Sequence, residues 1–379
     1  MFAKTCPVLY FLLIAALHVH AGGNIYTSSW EKIIPSAALP DSIHALRSNN
    51  NIDAITFNNK YFVAFRTAPS HFASTEVFLY IVSTTDFKNW NYEHKITLGT
   101  DMREPRFVIF RDSLRLFFFQ GGTTITKFEP QHIFTTVYES DSKQWSALQS
   151  IQLDGYVPWR LRVRDSVLYL SAYYGKDLYN DAHKADLRLF HSADGYQFNP
   201  ITAGPQESTL GAEEGEFIFD KQGNMWANVR LEGSGSLLCY ADKDSLGTWH
   251  KKFSKYKYDS AIMFEYGDDI FMISRRHLKG EATKAEVPKP FKRKMNLLKY
   301  SLSRKVTCLF QLDKQNMEWK ALLDFPSTGD TAFPAIVPDT AHSFHVLNYS
   351  SDIDKRDKVW LIGQLRPTFI YHALLFFDK

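Results

Sequence analysis

Five arginines, Arg66, Arg103, Arg160, Arg230 and Arg275, end or begin apolar, strand-like runs. A guanidinium forks onto a carboxylate through two parallel hydrogen bonds, a geometry lysine cannot copy. Taken singly, an arginine of this kind is an ordinary surface ion pair. Five at equivalent strand ends point to side chains that converge on one polar funnel. Carboxylates stand in similar places: Asp53, Arg103-Glu104-Pro105, Glu213-Glu214-Gly215-Glu216 and Asp330. Such groups serve as general acids or bases when geometry and a tuned pKa allow. Asn348-Tyr349-Ser350 is the only N-glycosylation triplet, which makes Asn348 a glycosylation candidate. There is no HExxH, paired CxxC, glycine-rich phosphate loop or G-x-S-x-G elbow, so no metal and no cofactor is expected.

Something must carry these side chains to a common place, and the repeats say what. Six segments share an apolar strand, a tight polar turn and an aromatic strand: TFNNKYFVAF, FRDSLRLFFF, RVRDSVLYLS, FDKQGNMWAN, EYGDDIFMIS and PDTAHSFHVL. Their turns fall at Asn59, Asp112, Asp165, Gly223, Asp268 and Thr340, spacings of 53, 53, 58, 45 and 72 residues. A period of roughly 40–50 residues with short strands predicts an all-β chain, a six-bladed β-propeller with four antiparallel strands per blade. A second repeat, an outer strand ending in Asp with an aromatic four residues on, occurs at Asp86/Trp90, Asp141/Trp145 and Asp194/Phe198, with a looser copy ending at Trp249. It reads as a structural corner, the Asp accepting backbone N–H bonds and the ring packing between blades. The longest spacing contains His277–Met295, lysine-rich and aperiodic, expected to be a basic surface loop. Trp30–Ile34 is expected to supply the outer strand of the last blade and close the ring.

The chain has 379 residues, 45% hydrophobic and 22% charged, which excludes a disordered polymer. Its net charge of +3 is too balanced for a nucleic-acid reader. Lys4, the apolar run Val8–Leu17 and Val19-His20-Ala21 read as a secretory signal cleaved near Ala21, predicting residues 22–379 as one secreted propeller domain, extracellular or periplasmic. No later stretch is long enough to span a bilayer as a helix. Cys239 and Cys308 lie in apolar strands and read as buried free thiols.

The six hairpins with their Asp corners resemble the sialidase superfamily, and GDTAFPAIV and FRTAPSH are similar to a bacterial sialidase-like branch. The resemblance implies a glycoside hydrolase acting on terminal sugars of glycans, acidic ones among them, with a glycan as its partner; a monomer is expected. Glu214 and Arg230 match the family's Glu and Asn-x-Arg, and Asn348-Tyr349-Ser350-Ser351 looks like the stretch with the tyrosine nucleophile. An anomeric carboxylate repels a carboxylate nucleophile, so a neutral tyrosine suits such a sugar. Tyr349 and Glu214 would be the reacting pair; Arg66, Arg103, Arg160, Arg230, Arg275 and Asp330 would bind substrate. Asn51 stands where the family has its first arginine, and the loop 67–76 offers His71 and Glu76 in place of the acid/base Asp. His71 is thus the acid/base candidate. Asp53, Arg103-Glu104-Pro105 and Glu214 also resemble the arabinanases and fructosidases, with Asp53 as base and Glu214 as acid. A secreted glycan-binding propeller without turnover is the third reading.

Overall fold

A computed structural model describes residues 24–125, 127–175, 185–209 and 211–378. Six antiparallel sheets stand in sequence order, their innermost strands being Ser48–Phe57, Met102–Phe110, Tyr156–Arg164, Ala212–Phe219, Asp259–Tyr266 and Thr331–Thr340. This is a six-bladed β-propeller. Each inner strand turns tightly into the next. Asn58-Asn59, Arg111-Asp112 and Asp165-Ser166 all have φ between 49° and 61°, the left-handed pairs that two-residue hairpin turns demand. Apolar faces of neighbouring blades then close on one another. Phe117, Trp159, Leu170 and Phe217, for instance, belong to one buried cluster spanning blades two to four.

The ring closes through the N-terminal segment. Ile25–Thr27 and Glu31–Ile34 both pair antiparallel with the C-terminal strand Phe369–Phe377, so the outer edge of blade six comes from the opposite end of the chain. The corner at Asp86 has its Oδ1 accepting from Lys88 N and Asn89 N, both at 2.8 Å. Asp194 repeats this with Tyr196 N and Gln197 N, also at 2.8 Å. Phe87 occupies the place of Gly195 and still adopts a left-handed φ of 57°. Its ring stacks on His345 and His372, centroids 4.2 and 4.4 Å away.

The stretch expected to be a loop, 277–295, departs from that expectation. Helix α1 (Pro290–Ser301) starts inside it, with proline in the first turn. Its inward residues are Arg293, Asn296 and Tyr300; the lysine- and proline-rich stretch before it reads as a loop, and the expected loop ended at Met295, half-way along the helix. A second short helix, α2 (Trp360–Gln364), lies beside it, with the Tyr300 and Trp360 rings 5.1 Å apart. Among the described residues no helix is long and apolar enough to cross a membrane. Cys239 and Cys308 are buried and free. The signal segment lies outside the described residues.

Candidate active site

Every inner strand carries a register shift near its axial end, between Asn50 and Asp53, Arg103 and Arg106, Pro158 and Arg160, Glu213 and Glu216, Asp259 and Ile262, and Ala332 and Ala335. In five blades the bulge holds a non-glycine residue at left-handed φ: Asn51, Glu104, Glu214, Ser260 and Phe333, at 46–53°. Such backbone is costly for these residue types and persists where surrounding structure fixes it. The bulges break the strict alternation of the strand and turn polar side chains towards the axis.

Three polar networks result. In the first, Asp101 lies between Arg66 and Arg103, at 2.8 and 2.6 Å. Arg66 is fully buried, and it also donates to Asn50 Oδ1, Ser70 O and Phe72 O. Arg103 donates to the carbonyl of His71 at 2.7 Å. Both arginines therefore hold the loop that presents His71. His71 Nδ1 lies 2.8 Å from Asp330 Oδ2, while Asp330 Oδ1 accepts from the Tyr349 hydroxyl at 3.1 Å and from Trp360 Nε1 at 3.0 Å. With Nδ1 donating, His71 Nε2 is the acceptor for the Gln364 amide at 3.1 Å. Burial opposes the charge of Asp330, but His71 beside it and the hydrogen bonds around it outweigh burial and hold its carboxyl below the ordinary range. Burial and the adjacent Asp330 push the Tyr349 hydroxyl well above its usual pKa. A cleft of about 220 Å³ opens beside this chain, lined by His71, Asp101, Arg103, Lys127, Glu129 and Gln364.

The second network surrounds Arg230. Glu214 and Glu232 bind it closely, and Glu213 and Asp259 lie at 3.4 and 3.3 Å. Lys257 pairs with Glu232 and Asp259 at 3.0 and 2.8 Å. Tyr300 donates to Asp259 and accepts from Arg275 Nε at 2.9 Å. Burial and then the nearby carboxylates, working against Arg230, push Glu213 up to about 8. Glu232, despite burial, is drawn down to about 2 by Arg230 and Lys257. In the third network Arg160 pairs with Glu216 at 2.6 Å and Asp53 at 3.4 Å, and Asp53 accepts from Phe107 N at 2.6 Å. Burial pushes neighbouring Glu104 up to about 7.

These arrangements alter the pairing expected from sequence. Glu214 is held by Arg230 and by Ser260 N at 2.6 Å, and the tyrosine's partner is Asp330 instead. Arg66, Arg160 and Arg275 are buried on internal partners rather than lining an open funnel, because each meets a carboxylate or carbonyl of an adjacent blade. Of the five, Arg103 lines the cleft beside His71. Asn348 is fully buried and bonded to Thr307 and Thr331, which closes its amide to glycan attachment in the folded chain. Asp101, Glu232, Lys257, Asp259, Tyr300, Trp360 and Gln364 were not singled out from sequence. Asp259 alone had a signal, since it opens the blade-five inner strand much as Glu214 opens that of blade four.

No protein-family model matches the chain, and no curated protein does. Solved structures do match. A protein of unknown function from Dyadobacter fermentans has a TM-score of 0.63 at 12% identity, covering 87% of this chain and 95% of that one. Trypanosoma rangeli sialidase in complex with sialic acid has a TM-score of 0.60 at 10% identity, covering 86% and 54%. The same sialidase in complex with a difluoro-KDN compound gives 0.62 at 10%, covering 92% and 58%. The fold is that of the sialidases. This chain with the sialidase fold spans little more than half the length of the trypanosomal enzyme.

Proposed function

We propose that this protein is a glycoside hydrolase for a terminal, acidic sugar, working from the His71 cleft with Tyr349 as nucleophile. The observation that carries the reading is the continuous chain His71–Asp330–Tyr349 beside the cleft. A tyrosine hydroxyl is a poor nucleophile until a base takes its proton. Asp330 Oδ1 is within reach of that proton, the role the sequence had suggested for Glu214. As Tyr349 attacks the anomeric carbon, its proton passes to Asp330 and the leaving oxygen takes one from His71. Asp330 also stabilises the imidazolium needed for that donation. Arg103 Nη1 has no hydrogen-bond partner among the described residues and is placed to receive the sugar's acid group. Trp360 covers Asp330 from α2, so the substrate needs α2 displaced before it reaches Tyr349.

One glycan panel, scored for both binding and sugar release, tests this. His71→Ala should lower kcat by about 10²–10⁴, and Tyr349→Phe should abolish turnover with melting little changed. Full activity in Tyr349→Phe would overturn the mechanism. Binding without release selects a glycan-binding propeller, a reading favoured by the complete burial of Tyr349 and by Arg160 and Arg230 being already spent on internal carboxylates. Secretion rests on Lys4, Val8–Leu17 and the small residues Val19 and Ala21. N-terminal sequencing of the exported protein should start near Gly22.

A further inference from the structure

Helix α1 is amphipathic the wrong way round. Its inward stripe is Arg293, Asn296 and Tyr300. Arg293 donates to Glu232 O and Asn296 to Gly233 O, so polar bonds, and not apolar packing, fasten it to blade four. Phe291, Met295, Leu298 and Leu302 follow the spacing 4, 3, 4, which places them on one stripe on the opposite side. Phe291 is 78% exposed, Leu298 52% and Leu302 53%. Val287, just before the helix, is 61% exposed. The neighbouring α2 behaves alike: Trp360 and Gln364 reach inward to Asp330 and His71, while Leu361, Ile362 and Leu365 point out. Isolated exposed apolar residues need no explanation, but a run of them over two touching helices does.

Charge says what the face meets. Residues 277–305 hold nine Lys or Arg against Glu281 and Glu286, a net +7, and seven of the nine cations remain once the buried Arg293 and Lys305 are set aside. The whole chain carries +3, so everything else sums to −4. Lys289, Lys292 and Lys299 are exposed and have no ion-pair partner among the described residues. Lys292 and Lys299 flank the apolar stripe. Lys358 and Arg366 bracket α2 in the same manner.

We propose that α1 and α2 form a docking face for an anionic lipid bilayer, which the protein meets from the side without spanning it. Outward apolar residues flanked by lysines are what lets a helix lie in the headgroup plane, rings and leucines in the acyl boundary and ammonium groups among the phosphates. The concentration of charge on this one insert turns the same face towards an anionic surface before contact.

The test is co-sedimentation of the exported chain with vesicles of phosphatidylglycerol and of phosphatidylcholine. Binding is expected to the first and not the second, and to weaken with salt. Each lysine near such a surface is worth roughly fivefold in affinity, so Lys289→Gln, Lys292→Gln and Lys299→Gln together should weaken binding by about 100-fold. Phe291→Ser with Leu298→Ser should remove it. All five side chains are exposed, so the melting temperature should hold in both variants, and Phe291→Ala alone serves if the double variant folds poorly. Equal binding to the two lipids, no binding, or binding indifferent to Phe291 would overturn the proposal. Competition by a soluble acidic polysaccharide that is itself insensitive to Phe291 would also overturn it and assign the patch to glycan. Turnover of soluble glycans is read separately and should not change in these variants.

Discussion

Arg230 shows how single side chains are committed in this molecule. It neutralises Glu214 and Glu232 directly and stands near Glu213 and Asp259, with Lys257 and Arg275 sharing the load. Arg230→Met would leave buried carboxylates without their counter-ion. Breaking such a buried cluster typically costs about 3–5 kcal/mol, which urea unfolding at neutral pH should register. Glu213 provides a signed pH effect. Its carboxyl keeps a proton up to about 8 in the folded chain, against about 4.3 in an unfolded one. Its contribution to stability is therefore fully present below the unfolded value and is lost as pH rises through that window. Glu232, lowered to about 2, acts in the other direction, losing stability as pH falls towards 2. Glu213→Gln should remove only the loss on the neutral side. Melting curves of the variant and wild type should diverge steadily in the variant's favour between about pH 4.5 and 8; parallel curves would show that Glu213 is ionised in the fold.

At the scale of elements, the corner at Phe87 sets backbone strain against packing. Phenylalanine at φ 57° is unfavourable, and glycine there would relieve the strain. Relief of this sort is worth roughly 1 kcal/mol. The ring, however, is buried between His345 and His372 and seals blade one against blade six. Losing a buried phenylalanine costs about 3–5 kcal/mol. Packing wins on these magnitudes, so Phe87→Gly should lower the melting temperature. A rise would mean that the strained turn outweighs the interface. The axial bulges carry the opposite lesson, since there strain is retained to aim polar groups inward, as at Glu104 and Glu214.

For the whole molecule the decisive feature is closure. Blade six is complete only when Ile25–Thr27 and Glu31–Ile34 lie along Phe369–Phe377. Ile33 and Ile34 are buried there in a cluster that reaches Phe65 and Tyr80 of blade one. Removing residues 24–34 should therefore do more than delete an edge, leaving an unpaired strand and an uncovered apolar seam between the first and last blades. A broadened transition at a lower temperature is the expected calorimetric result. An unchanged curve would show that the ring holds without its closing strands.

The all-β architecture, the number of blades and the closing strand were readable in the sequence because they depend on local signals. Turn residues such as Asn58-Asn59 and Asp165-Ser166 dictate hairpins wherever they occur, and their repetition counts the blades. His71 and Tyr349 were named through the family resemblance and not through a local signal, and their meeting with Asp330 is a tertiary contact. Which partner each would choose was decided only in three dimensions. Tyr349 meets Asp330 and not Glu214, because a register shift in each inner strand re-aims its side chains and Arg230 claims the glutamate. Those bulges leave no local mark in residue type: the left-handed positions are Asn, Glu, Glu, Ser and Phe. Helix α1 was hidden for a related reason. It is held by Arg293, Asn296 and Tyr300 against distant backbone and side chains, contacts that exist only once blades four and five are in place.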